Sequence, residues 1–345
     1  MEDASSSPAP GWADAFQRRH RWAGLPLAIL YKFGDDQGGY LAALITYYGL
    51  VSLFPLLLLF VTVLGFALQG SPELQQQVLD SALAQFPVIG DQIASNIHSF
   101  HGSVFGLVVG ILGSLYGGIG VVQAAQNALN QMWAVPRNSR PNPIIARLRS
   151  LLLLAAGGIT VLATSVLSAL SANVGAYGPG VRAAAVIAGI ALNIALFTAA
   201  FRLLTARPLT TRQVATGAVI AAVIWQIFEW AGTLLLGYRL RGATATYGLF
   251  GIVIGLITWI YLGALTFVLC TEINVVRVER LWPRSLLTPF TDNVRLTSGD
   301  RRAYTSYAET ERHKGFENVD VEFDEPSPQS REHLADPASD GGSTP

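Results

Sequence analysis

The sequence predicts an all-α, polytopic membrane protein: six transmembrane helices preceded by an N-terminal helix lying in the membrane interface. Three observations predict it. Charged residues make up only 13% of the 345-residue chain, against roughly a quarter in soluble domains. Between Gln37 and Glu272 long uncharged runs alternate with short basic loops, and the runs exceed the roughly 20 apolar residues that cross a bilayer. They also lack the polar face of a soluble core helix and the strict alternation of a membrane β-strand. Lipid offers no hydrogen bonds, so each segment must satisfy its own backbone as a helix.

The elements follow in chain order. Residues 1–10, MEDASSSPAP, are expected to be a disordered start. Residues 11–40 set Trp12, Phe16, Trp22, Leu25, Ile29 and Leu30 among Arg18, Arg19 and Arg21, a mixture that suits an interfacial amphipathic segment broken near Pro26. A packed helix on the cytoplasmic side is the alternative. The apolar stretch LPLAIL is too short for a cleavable signal and is followed by Lys32 and two aspartates. Residues 41–285 hold the six spans, at about 41–68, 104–127, 150–173, 183–203, 214–237 and 247–270. The loop Gln69–Ser103 carries two apolar stripes separated by Pro87 and Gly90, read as two short amphipathic helices. Residues 286–345 lose apolar periodicity and grow acidic, so a disordered acidic cytoplasmic tail is expected.

Orientation comes from Lys and Arg. The connections that share a side with the N-terminal region carry Arg137, Arg140, Arg147, Arg149, Arg202, Arg207 and Arg212, and more follow the last span. The opposite side has only Arg182, Arg239 and Arg241. The positive-inside rule then puts both termini in the cytoplasm of a cell whose cytoplasmic (inner) membrane the chain spans several times. The formal net charge of zero hides this asymmetry.

Several features inside the spans need a reason. Pro55, midway along the first span, lacks an N–H and clashes with the carbonyl of Val51, so the helix is expected to kink or open as a candidate hinge. Thr46, Tyr47, Tyr48 and Ser52 stand close enough in sequence to serve the freed carbonyl. Gly106, Gly110, Gly113 and Gly117 make a smooth packing face on the second span, and Gly248, Gly251 and Gly255 repeat the device on the sixth. Such faces also permit a homo-oligomer. Gln123, Gln126, Asn127 and Asn130 recur at helical spacing and gather four amides on one face. Unpartnered amides are costly in lipid, so that face should meet other helices or a water-filled vestibule.

Glu229, with Gln226 one turn earlier, breaks a run otherwise uncharged from Gln213 to Tyr238. It falls about 5 Å past the midplane at 1.5 Å per residue, where a charge costs about 2.5–3.5 kcal/mol on insertion scales. It could be a proton or substrate site, the partner of an arginine on another span, or a protonated acid that donates a hydrogen bond. Glu272 is read as lying at an interface that water reaches.

Other chemistries find no footing. There is no G-x-x-x-x-G-K-[ST] loop for nucleotide and no H-E-x-x-H. His98 and His101 lack a third ligand, so no metal is expected. No nucleophile, base and acid come together, so no enzyme and no cofactor are expected. The lone Cys270 excludes an intramolecular disulfide.

ITYYGLVSLFPLLLLF (45–60), ALNQMWAVP (128–136) before an arginine-rich loop, FRLLTARP (201–208) and TYGLFGIVIGLITWIYLGALTFVLCTEIN (246–274) together resemble the YihY/virulence factor BrkB family over roughly residues 15–285. That resemblance implies a six-helix inner-membrane protein linked to envelope biogenesis, export of lipid A precursors and resistance to host killing. An older label for the family, a tRNA-processing ribonuclease, is not supported by this sequence: it has no His-x-His-x-Asp-His motif and no soluble domain to hold RNA. Nucleic acid is therefore not an expected partner; membrane lipids are.

The function expected is a transporter or flippase for a lipid or lipid-linked envelope component, with Pro55 as hinge and Gln123, Gln126, Asn127, Asn130, Gln226 and Glu229 along a polar path. The alternative is a non-transporting scaffold for envelope biogenesis machinery.

Overall fold

The computed structural model describes residues 12–67, 104–172, 179–238, 240–286, 288–289, 294 and 296–323. Within them the regular structure is helical: α1 (Trp12–Arg19), α2 (Arg21–Asp35), α3 (Gly38–Ala67), α4 (Val104–Met132), α5 (Pro143–Ala172), α6 (Pro179–Leu204), α7 (Thr211–Tyr238), α8 (Leu240–Val278) and α9 (Ser298–Thr310). The loop expected to carry two amphipathic helices, 69–103, and the start 1–10 lie outside the described residues.

Among the described residues four helices are long and apolar enough to cross a membrane, over Ile144–Thr164, Ala183–Leu204, Thr211–Ala231 and Val253–Val278. Six were expected. The first two fall on α3, where Gly38–Leu53 is a shorter apolar helix, and on α4, whose last turns are rich in amides. The apolar span of α6 is almost entirely unburied within the molecule, and Leu112, Ile159, Ile187 and Ile227 point outward. An apolar surface that extensive requires lipid around it.

Consecutive spans pack side by side, and α8 returns to lie against α3 and α2. The most extensive packing pairs α3 with α4. A Cβ on Gly117 would stand 2.6 Å from the Ser52 Cα, and one on Gly113 would stand 2.8 Å from the Pro55 ring. Two of the expected packing glycines therefore admit the neighbouring helix at its proline. Of Gly106, Gly110, Gly248 and Gly251 only the helical backbone is described, while Gly255 is half-buried on α8. The close approach between α7 and α8 uses a different glycine. A Cβ on Gly217 would fall 2.2 Å from the Cys270 carbonyl oxygen, and the Gly217 N–H donates to Asn274 Oδ1 at 2.8 Å.

The opening expected at Pro55 is not seen, since α3 runs helically through it. Thr46 and Ser52 donate instead to Ala42 O (2.7 Å) and Gly49 O (3.0 Å), back-bonding on their own turns.

The N-terminal segment packs on the rest of the chain while keeping an exposed apolar face, and the expected tail departs from the sequence reading. Helices α1 and α2 pack on the chain that follows α8: Gln17 donates to Arg284 O at 2.6 Å and Tyr31 to Leu286 O at 2.8 Å. Trp12, Trp22 and Leu30 keep an exposed apolar face on the other side. Within 286–345, taken as disordered, α9 is a folded helix with a capping box: Thr297 accepts from Asp300 N and Asp300 from Thr297 N. Asp300 also takes Arg284 Nε at 2.6 Å, both side chains being almost wholly buried. Arg284 reaches Asp35 of α2 at 3.0 Å as well. One arginine thus ties the helices that flank the bundle in sequence to each other.

Candidate functional site

The helix ends meet at the arginine-rich end of the bundle, where the connection from α2 to α3 is very short. Gln37 adopts a left-handed backbone (φ 55), at a cost of about 1–2 kcal/mol for a residue with a Cβ. That tight turn tucks Asp36 beneath α2. Lys32 (0% exposed), Asp36 (3%) and, from α8, Glu272 (0%) form a buried ionic cluster. The Lys32 ammonium pairs with Asp36 one turn on and sits 5.0 Å from the centre of the Tyr307 ring of α9. Burial pushes the Asp36 carboxyl above its usual range, against the opposing pull of Lys32. Glu272 lies beside Asp36, and neither of its carboxyl oxygens has a hydrogen-bond donor. The interface exposed to water that the sequence suggested for Glu272 is therefore corrected: α2 packs on α8 and Glu272 is wholly buried.

A polar cavity of about 420 Å³ lies beside this cluster. Arg137 and Arg140 line it, with Asp35, Asp36 and Glu311, and Asn127 comes from α4. Most of these charges are matched: Arg137 pairs with Glu311 at 3.0 Å, Lys32 with Asp36, and Arg284 with Asp35. Arg140 differs, for its hydrogen bonds go to Asn127 Oδ1 (3.1 Å) and Val135 O (3.5 Å), both neutral. Burial and the neighbouring Arg137 draw its pKa below the usual arginine value. An anion entering the cavity would relieve that repulsion. For Arg284 burial acts against the charge, but Asp300 and Asp35 outweigh it and hold the guanidinium above the ordinary arginine range. A second cavity of about 370 Å³ has Lys32 in its wall, with Arg207, Glu279 and Arg302.

The amide face divides. Gln126 is buried and donates to Ala146 O (3.0 Å) and Ser150 Oγ (3.3 Å) of α5, while Asn130 accepts from Ala206 N at 2.7 Å. Both are helix ties. Asn127 opens on the large cavity and Gln123 is exposed. On α7, Glu229 accepts from Trp225 Nε1 (2.8 Å) and Gln226 Nε2 (3.0 Å), two side chains of its own helix. The structure brings Gln226 to Glu229, and Asn127 to Arg140. Lys32, Asp36, Arg140 and Tyr307 were missed. The signals that could have found them are a lysine followed by two aspartates in an apolar stretch, and an acid in the TEIN end of the last span. Among the described residues no group of three His, Cys, Asp or Glu is placed to hold a metal.

A UPF0761 membrane protein of Psychrobacter sp. (strain PRwf-1) is 24% identical over 289 residues, 80% of this chain and 53% of that relative. The chain thus spans about half the length of that protein. The ribonuclease-like protein YfkH of Bacillus subtilis (strain 168) is 27% identical over 270 residues, 73% of this chain and 94% of the relative. No solved structure matches. The model of the family described as Virulence factor BrkB matches residues 29–289, a region that takes in α3 to α8, the Lys32–Asp36–Glu272 cluster and Arg140. The chain belongs to the Virulence factor BrkB family.

Proposed function

We propose that the protein moves a lipid or lipid-linked envelope component across the cytoplasmic membrane, receiving its anionic head group at the arginine-rich end. One observation carries this reading: a polar cavity of about 420 Å³ in which, among the described residues, Arg140 hydrogen-bonds to neutral groups, Asn127 and Val135 O. A guanidinium is a strong receptor for phosphate or carboxylate, and the surrounding helices offer apolar outer faces to acyl chains. Gln226 and Glu229 would form a second polar station within α7, and Pro55 against Gly113 the place where α3 bends during movement.

The test is scrambling of fluorescent anionic and zwitterionic lipids in proteoliposomes, comparing wild type with Arg140→Gln. Movement of the anionic lipid above empty liposomes, reduced about tenfold or more by the substitution, is expected, since a charged hydrogen bond contributes about 1.5–3 kcal/mol. No movement of any lipid, or equal movement by both proteins, rejects the proposal. A non-transporting scaffold is the second reading. It is favoured by the exposed Trp12, Trp22 and Leu30 on a helical layer that is otherwise firmly packed, and it predicts partners that co-purify and are lost with Trp12→Ser and Trp22→Ser.

A further inference from the structure

We infer that Asp36 and Glu272 hold one proton between them, exchanged with water through the cavity that Asp36 lines. Charge counting and geometry lead there. The cluster sets two acids against one cation, Lys32, in almost complete burial. The other charged or titratable groups facing it are already engaged. Asp35 of α2 accepts from Arg284 at 3.0 Å and from the Tyr307 hydroxyl of α9 at 3.1 Å. Arg284, from the connection after α8, is shared between Asp300 and Asp35. From α4 the Gln131 amide donates to the Asp36 backbone carbonyl at 3.0 Å, and Asn127, held by Arg140, lines the same cavity.

Lys32 can therefore neutralise one carboxylate and no more. A second ionised acid, dry and without a donor, is strongly unfavourable. Both Glu272 oxygens lack a donor, and a proton placed between the two carboxyls supplies one. Close carboxyl pairs resolve their repulsion in this way and titrate as a unit.

Access is built in. Asp36 forms part of the wall of the 420 Å³ cavity and Lys32 part of the wall of the 370 Å³ cavity, so the cluster separates two openings. A proton comes from water to Asp36, passes to Glu272 across the shared hydrogen bond, and leaves by the same route. No other reactant is needed, and the inference does not rest on what the protein transports.

The sign of the pH effect follows. Asp36 binds its proton more tightly when folded than an ordinary carboxylate does, so the folded state keeps a proton that the unfolded chain releases. This contribution to stability is complete below the unfolded value of about 4. It is lost as pH rises through the folded value.

The experiment combines infrared difference spectroscopy with thermal melts on the full-length protein in lipid nanodiscs, from acid to alkaline pH. Wild type should show the carbonyl stretch of a protonated carboxyl that disappears with added base, and a melting temperature that falls over the same range. Glu272→Gln should lose the band and flatten the melting profile, leaving Lys32 and Asp36 as a compensated pair. Glu229→Gln should leave the band in place. Should Glu272→Gln fail to fold, Asp36→Asn removes the same band from the other side. Three outcomes would overturn the inference: a wild type with no titrating band, a band that survives both substitutions, or a band displaced by sodium in place of choline at fixed pH.

Discussion

Replacing Asp300 by Ala should free α9 and the N-terminal helices from the bundle while the membrane spans stay folded. Asp300 is fully buried and accepts from Arg284 Nε at 2.6 Å, Ser285 N at 3.0 Å and Thr297 N at 2.9 Å. Its loss strands a guanidinium that is 1% exposed, with Asp35, itself 29% exposed, as the remaining carboxylate. Removing one member of a buried pair costs about 3–5 kcal/mol. Loss of the cap adds about 0.5–2 kcal/mol, and the surviving Asp35 contact offsets part of the sum. A net of about 4 kcal/mol raises the open population nearly a thousandfold, at 1.4 kcal/mol per factor of ten.

Thr297→Ala removes the cap hydroxyl but keeps the ion pair, so it should cost about 1 kcal/mol, roughly a fivefold change. Limited proteolysis of the 281–297 connection reads the open population when reclosing outpaces cleavage. Cleavage of the Asp300 variant should exceed that of the Thr297 variant by about two orders of magnitude. Equal rates for the two variants, or an Asp300 variant cut no faster than wild type, would refute the reasoning.

Two further expectations need only stability and labelling measurements. Gly217→Ala should destabilise the protein by about 1–3 kcal/mol or more, since overpacking presses on the Cys270 carbonyl, which cannot move aside; Gly157→Ala, with nothing within 4 Å of a new Cβ, should leave the melting temperature unchanged or raised. Cys270, the only cysteine and 1% exposed, should resist maleimide in the native protein and react at full stoichiometry on unfolding; fast labelling of native protein would contradict its burial on α8.

The long uncharged runs made four spans legible because bilayer crossing is a local property of about 20 consecutive residues. The glycine spacing on α4 was legible for the same reason, and Gly113 and Gly117 do receive α3. What escaped was whatever depends on distant pairing. Lys32 and Glu272 each read as a charge near a membrane surface, and nothing within a few residues of either says that the other covers it. The amides of α4 share a face by periodicity, yet neighbours on two sides divide them, so Gln126 and Asn130 became ties while Asn127 reached the cavity. Helix α9 had its signal in Thr297-Ser-Gly-Asp300. The capping motif was masked by the charged, weakly apolar residues that follow it. Gly217, in an alanine-rich run, looks like any other small residue until Asn274 is placed against it.

The arginine that joins α2 to α9 also sets an order of events during synthesis. Asp35 leaves the ribosome long before Arg284 and Asp300, and all six expected spans are translated between them. Domains made early normally fold early. Here Asp35 has no counter-charge until Arg284, beyond α8, has been made, so the closing of this layer reports that α8 has been made and inserted. A chain cut short before Arg284 would present the undocked faces of α1 and α2, with Asp35 unpaired, to whatever proteases or chaperones inspect new membrane proteins.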